Sequence, residues 1–262
     1  MGMVNEIDQV KRRLADSQKQ TYPYVMNAFG LDLIVHEGVF PPSHYFSWRW
    51  SVENFPSIRG QRVLEIGCGM GLPSIYLAKN GAAVVVAVDI DPRAVANTRE
   101  NAERNRINNI VVMQSDMFSA VESSQKFDTI YWNIPDVYVP EDYEYANDLE
   151  RGVFDPGYKM LRSFLKQAPA HLAESGRVLL EFAEGDRVTA LSDLAKANGY
   201  AIELIARGSL PEGGRVFQFF ELKRVTASVS AGTSPPEREL RRVADRRCFL
   251  ERTSVLLSRT QR

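Results

Sequence analysis

Three glycines at alternate positions, Gly67-Cys68-Gly69-Met70-Gly71, follow directly on the apolar segment Val63-Leu64-Glu65-Ile66. Glycine lets a chain bend with positive φ and bring its backbone close to a ligand, so a strand that runs into such a turn can build a binding loop. A nicotinamide site would need Gly-x-Gly-x-x-Gly, and the sixth position from Gly67 is Leu72, so that fingerprint fails. Cys68 has no His near it in sequence and reads as a small residue of the turn, not a nucleophile. With Cys248 as the only other cysteine, no disulfide framework or Cys-based zinc site can be built, which suits a reducing cytoplasm. His36, His44 and His171 lack metal-ligand spacing, and no metal is assigned.

Regular elements must hold that turn. The apolar runs 63–66, 84–88, 110–113, 127–132 and 178–182 are β-branched or aromatic and nearly continuous, as strands of a parallel sheet covered on both faces would be. Helices fit between them at 73–79, 92–105 and 157–173, the second opened by the cap pair Asp91-Pro92. Two extended segments, 201–206 and 215–223, flank Pro211-Glu212-Gly213-Gly214 and predict an antiparallel hairpin at the sheet edge. The pattern is that of an α/β protein with a Rossmann-like doubly wound sheet, mostly parallel with an antiparallel C-terminal edge. Ahead of it, Ile7, Val10 and Leu14 space a helix over about 5–20, and short extended segments follow at 31–35 and 38–40. Five aromatics lie between Phe40 and Trp50; they are either a pocket wall or ordinary core.

Composition excludes much else. Of 262 residues, 44% are hydrophobic and 25% charged, and no apolar run approaches the roughly 18 residues of a membrane span. The N-terminus has no apolar segment of a secretory signal, and Glu6 breaks the myristoylation pattern after Gly2. The net charge of −1 is a cancellation: residues 1–223 carry −6 and the Arg-rich residues 224–262 carry +5. An acidic body argues against a large nucleic-acid footprint, while the tail leaves that option open. We divide the chain into an N-terminal extension, 1–50, that forms part of an acceptor site, a cofactor domain, 51–224, and a basic, mobile tail, 225–262.

Glu65 with Gly67, Cys68, Gly69 and Gly71 resembles motif I of the class I S-adenosylmethionine-dependent methyltransferases. The resemblance implies S-adenosylmethionine as cofactor and gives roles to residues further on. Asp89, twenty residues after Gly69 and followed by Ile90, would accept the ribose hydroxyls; Asp116 and Met117 would recognise and cover the adenine. Asn133-Ile134-Pro135-Asp136 resembles the Asn-Pro-Pro-Tyr motif of amino-methyltransferases. There Asn and the following carbonyl accept hydrogen bonds from the acceptor NH2, so Asn133, Pro135 and Asp136 are the implied catalytic set, with Asn133 also at the cofactor. Ile134 replaces a proline and Asp136 replaces the stacking tyrosine. Trp132, Tyr138 or the N-terminal aromatics Phe40 and Tyr45 would then supply a ring, with His44 a further acceptor-side candidate. Asp136 either pairs with an amine-bearing substrate or is a turn residue.

Gly38-Val39-Phe40-Pro41-Pro42, Asp155-Pro156-Gly157-Tyr158 and the segment 176–182 are similar to glutamine-methylating enzymes of the HemK type. The implied function is methyl transfer to a nitrogen of a small molecule or a protein side-chain amide. The alternatives are an RNA or ribosomal-protein methyltransferase anchored by the tail, and a non-catalytic cofactor-binding scaffold. No membrane partner is expected, and the oligomeric state is left open.

Overall fold

The computed structural model of the protein describes residues 2–185 and 187–225, which pack as one unit. The basic segment 226–262 lies outside the described residues, and with it the reading of a mobile tail. Chain order is α1 (Gly2–Ser17), β1 (Tyr24–Ala28), β2 (Leu31–Val35), α2 (Ser47–Asn54), β3 (Arg62–Ile66), α3 (Leu72–Lys79), β4 (Val84–Asp89), α4 (Pro92–Arg104), β5 (Ile110–Gln114), β6 (Phe127–Asn133), β7 (Val137–Val139), β8 (Phe154–Pro156), α5 (Lys159–Gln167), β9 (Leu172–Ala183), α6 (Arg187–Ala197), β10 (Tyr200–Ser209) and β11 (Val216–Arg224).

Seven strands form the central sheet in the order β10-β11-β9-β6-β3-β4-β5. The pairings β3 with β4, β4 with β5, β3 with β6 and β6 with β9 are parallel; β11 pairs antiparallel with both β9 and β10. This is the expected Rossmann-like sheet with its antiparallel edge. Central strands are buried along their length because helices cover both faces, which is why their sequences lack polar alternation. Strand order reverses between β3 and β6, and a crevice opens at the carboxyl ends of strands at such a switch point.

The N-terminal hairpin β1–β2 is docked by a ladder of asparagines on α4 and at its C-cap. Asn97, Asn101 and Asn105 lie four residues apart, on one helix face. Their Oδ1 atoms accept the N–H groups of His36, Ile34 and Asp32 at 3.1, 2.7 and 2.9 Å. Their amides donate back to the carbonyls of Ile34 and Asp32, each at 2.8 Å. The open edge of β2 is thereby paired by side chains instead of another strand.

Several expected elements differ. The helix expected over 157–173 is α5 over Lys159–Gln167, followed by a tight turn at 168–170, and β9 begins at Leu172. Tyr158 in left-handed conformation starts that helix late, and Pro169 removes a helical N–H near its end. The first helix ends at Ser17, whose hydroxyl turns back to the Leu14 carbonyl at 2.6 Å. Residues 38–40 form a turn and not a strand, with Gly38 at φ +78°.

Candidate functional site

A cleft of about 1220 Å³ opens at the carboxyl ends of β3, β4 and β6. On one side the chain leaves β3 through the glycine turn, tied to β4 by the N–H groups of Gly67 and Cys68 on the Val88 carbonyl at 2.8 and 3.0 Å. Gly69 has φ +57°, and a Cβ there would meet nothing within 4 Å, so its backbone faces open space. At Gly71, φ +89°, a Cβ would fall 2.6 Å from Thr98 Cγ2. Gly71 does not line the cleft; it lets the turn enter α3 against α4. Its role is therefore close packing, not ligand contact.

Asp89 ends β4 and faces this turn. Its Oδ2 accepts the Gly69 N–H and its Oδ1 the Asp91 N–H, both at 2.9 Å. Burial raises the Asp89 carboxyl, and those N–H groups pull it back down. Ile90 beside it is a large apolar residue left 43% exposed. Beyond β5, Asp116 is exposed and Met117 buried, the latter held at φ +49° by the Ser115 hydroxyl on its carbonyl at 2.8 Å. The Ser115 N–H bonds the Asp89 carbonyl at 2.9 Å, so the ends of β4 and β5 are fixed to each other. Glu65 lies beneath the turn, receives the Ser74 hydroxyl, and is pushed up to about 8 by burial. Burial, with Asp89 and Glu65 close by, also pushes the Cys68 thiol well up, which removes it as a nucleophile.

The opposite wall carries the second set of residues. Asn133 ends β6, and its Nδ2 donates to Ser47 Oγ of α2 at 2.9 Å, leaving Oδ1 for another donor. Asp136 pairs with Arg215 at 3.0 Å. Trp132 packs on Phe164 with ring centroids 4.8 Å apart, toward the core. Tyr45 lies against Phe40 at 4.6 Å, under the Arg13 guanidinium at 5.6 Å. Its hydroxyl is buried without a partner among the described residues and is pushed up to about 12 by burial. His44 meets the Ser43 hydroxyl at 2.9 Å. The cleft thus brings together Phe40, His44, Tyr45, Glu65, Gly67, Cys68, Gly69, Asp89, Ile90, Asp116, Met117, Trp132, Asn133, Pro135 and Asp136. Tyr138 is not on it: the residue belongs to β7 and its ring packs on Tyr158 at 5.1 Å, because the chain after Asp136 turns away to pair with β8.

The profile of the methyltransferase small-domain family matches residues 31–146. A Methanocaldococcus jannaschii protein named as a protein N5-glutamine methyltransferase is 34% identical over 187 residues, 70% of this chain and 91% of the relative. The chain belongs to the class I S-adenosylmethionine-dependent methyltransferases. Two solved structures share the fold of this methyltransferase. One is the ribosomal protein L11 methylase of Lactobacillus delbrueckii subsp. bulgaricus, with 19% identity and TM-score 0.54 over 78% of this chain and 100% of that one. The other is the T. thermophilus 16S rRNA N2 G1207 methyltransferase in complex with AdoMet and guanosine, with 20% identity and TM-score 0.52 over 77% and 50%.

The donor set fits the methyltransferase's cofactor. Each Asp89 oxygen keeps a lone pair beyond its backbone bond, Ile90 offers an uncovered apolar surface, and the Gly69 backbone faces space no side chain fills. Four polar residues on the opposite side had escaped the sequence reading: Ser47 and Ser51 of α2, Tyr131 of β6 and Glu181 of β9. Glu181 had one visible signal, a single acid inside the apolar run 178–182. The serines had none, because their segment reads as an aromatic cluster.

Proposed function

We propose that this methyltransferase methylates a nitrogen, that of a protein side-chain amide or a planar amine. Asn133 carries the reading. It closes β6 at the boundary between the glycine turn and the aromatic wall, and Ser47 holds its amide so that Oδ1 can accept an N–H. The Ile134 carbonyl is the second acceptor the motif implies, and together they would hold an NH2 group in one plane. When bound, S-adenosylmethionine supplies an electrophilic sulfonium methyl. Asp89 and Ile90 would hold the adenosine end, the Gly67–Gly69 backbone would take the methionine end, and Asp116 with Met117 would meet the adenine. Asn133 then works by orientation, aiming the nitrogen lone pair at the methyl. Phe40 and Tyr45, packed on each other at the cleft, would supply the stacking ring, and Asp136, tied to Arg215, replaces the ring of the motif with a charge.

The M. jannaschii relative is named for glutamine, which favours the side-chain amide as acceptor class. A methyl-labelled cofactor incubated with the enzyme, cell extract and separately fractionated protein, RNA and small molecules tests this. Label on a protein glutamine is expected; label confined to oxygen or carbon products overturns the nitrogen reading. Label confined to RNA that disappears on deletion of residues 225–262 would instead make the basic tail a nucleic-acid anchor.

A further inference from the structure

Glu181 lies in the apolar run of β9 and is fully buried. Its Oε2 accepts the Ser51 hydroxyl at 2.9 Å. Its Oε1 has no partner among the described residues, and neither has the Tyr131 hydroxyl. A buried carboxyl half without partners is costly, and an apolar residue like its neighbours Leu179, Leu180 and Phe182 would pack there without that cost. Placement gives the carboxyl a use. Asn133 and Glu181 are paired residues on the parallel strands β6 and β9, which lie about 4.8 Å apart. The Ile134 N–H returns to the Glu181 carbonyl at 3.0 Å. One turn of α2 spans the pair, Ser47 holding Asn133 and Ser51 holding Glu181. Both residues line the cleft, and because Oε1 and the Tyr131 hydroxyl are shielded from solvent, a small movement of the wall would bring them to a nitrogen held at Asn133.

We propose that Glu181 is the proton acceptor for the nitrogen that is methylated. The proposal rests on the nitrogen reading above. As the N–C bond forms, the S–C bond breaks and its electron pair stays with sulfur. One N–H proton passes to Glu181 Oε1, leaving a neutral methylated nitrogen and a protonated carboxyl that later returns its proton to solvent. No further reactant is needed. An amide lone pair is delocalised, and removing the proton during transfer makes the nitrogen a better nucleophile. The groups facing the carboxyl are Ser51 from α2, Tyr131 from β6, Asp136 beyond β6 and Arg215 ahead of β11. Burial, aided by Asp136, raises it to about 8 against the opposing pull of Ser51 and Arg215, so its ionised form is a stronger base than an ordinary carboxylate.

The test compares the full-length protein with Glu181→Gln and Glu181→Asp, using S-adenosylmethionine and N-acetylglutamine N-methylamide as a primary-amide probe. Glu181→Gln is expected to bind the cofactor within about two-fold of wild type and to lose about 10²–10⁴-fold in turnover. The wild-type rate should rise with pH up to about 8, and the Gln variant should lose that limb. Turnover within about three-fold of wild type, or an unchanged pH profile, overturns the proposal. If wild type does not methylate the probe, the free amide is not the acceptor, and infrared spectroscopy still decides the role of Glu181. A protonated-carboxyl band lost in Glu181→Gln and displaced in Glu181→Asp should disappear as pH rises through about 8 in the S-adenosylhomocysteine complex; a band that stays in place overturns the proposal. The Asp variant assigns that band and reads turnover if the Gln variant does not fold.

Discussion

The side chain of Asn101 joins two binding segments that are 36 residues apart in sequence: its Oδ1 accepts the Ile34 N–H at 2.7 Å, and its Nδ2 donates to the Met70 carbonyl at 2.8 Å. The hairpin ahead of the aromatic wall and the glycine turn thus share one fully buried amide. Asn101→Leu leaves those backbone groups without partners, at about 1–3 kcal/mol each. Denaturant unfolding should show a loss of several such increments, and calorimetry a fall in S-adenosylmethionine affinity. Asn105→Ala, which touches only the hairpin and its own helix, should lower stability without the second effect.

Asp89→Asn keeps the shape of the carboxylate and removes its charge and half of its acceptors. Each charge-assisted bond lost is worth about 1.5–3 kcal/mol, so cofactor affinity should fall by about 10–100-fold. Calorimetry with S-adenosylmethionine checks this, and undiminished binding would remove Asp89 from the ribose.

Gly71→Ala places a Cβ at positive φ and 2.6 Å from Thr98. Strain of about 1–3 kcal/mol is expected from the backbone alone, and thermal unfolding should fall accordingly. The double variant Gly71→Ala with Thr98→Ser should recover only the part due to the clash.

Two buried carboxyls, Glu65 and Glu181, are raised from an ordinary 4.5 to about 8. The folded chain keeps protons that the unfolded chain releases above about 4.5, so their contribution to stability is greatest below that pH and falls as pH rises toward about 8. Urea midpoints should decline across that window. Glu65→Gln should flatten the decline, and an unchanged slope would mean that Glu65 ionises normally in the fold.

Tyr138→Ala removes the ring contact with Tyr158 and no part of the cleft. A loss of about 1 kcal/mol in stability is expected, with kcat and cofactor affinity unchanged. A selective loss of kcat would bring Tyr138 back to the acceptor.

The candidate donor half could be read because its residues are local: Glu65 to Gly71, Asp89, Asp116 and Asn133 each sit at or just beyond the end of an apolar run, and each run is a strand. The sheet followed from the same runs. The acceptor half depends on residues that meet only after folding. Ser47 and Ser51 become neighbours of Asn133 and Glu181 through α2, whose aromatic sequence hides its helical period. Strands β7 and β8, three residues each, are too short to give a periodic signal, and α6, at 187–197, has a weak apolar period despite the cap-type Asp186 ahead of it in sequence. The Asn ladder was visible as a spacing of four in 97–105, but its meaning required the edge strand that it pairs.

The turn between β10 and β11 grips two elements, Glu212 holding Arg49 of α2 at 2.5 Å and Arg215 holding Asp136. Its residues line the acceptor side of the cleft and take no part in the glycine turn, Asp89 or Asp116. On the proposed reading, the two ligands of this enzyme would be held largely by separate stretches of chain, with Asn133 between them. Grafting a different β10–β11 turn, or lengthening this one, would re-tailor which substrate is admitted while the methyl donor is read by an untouched sequence.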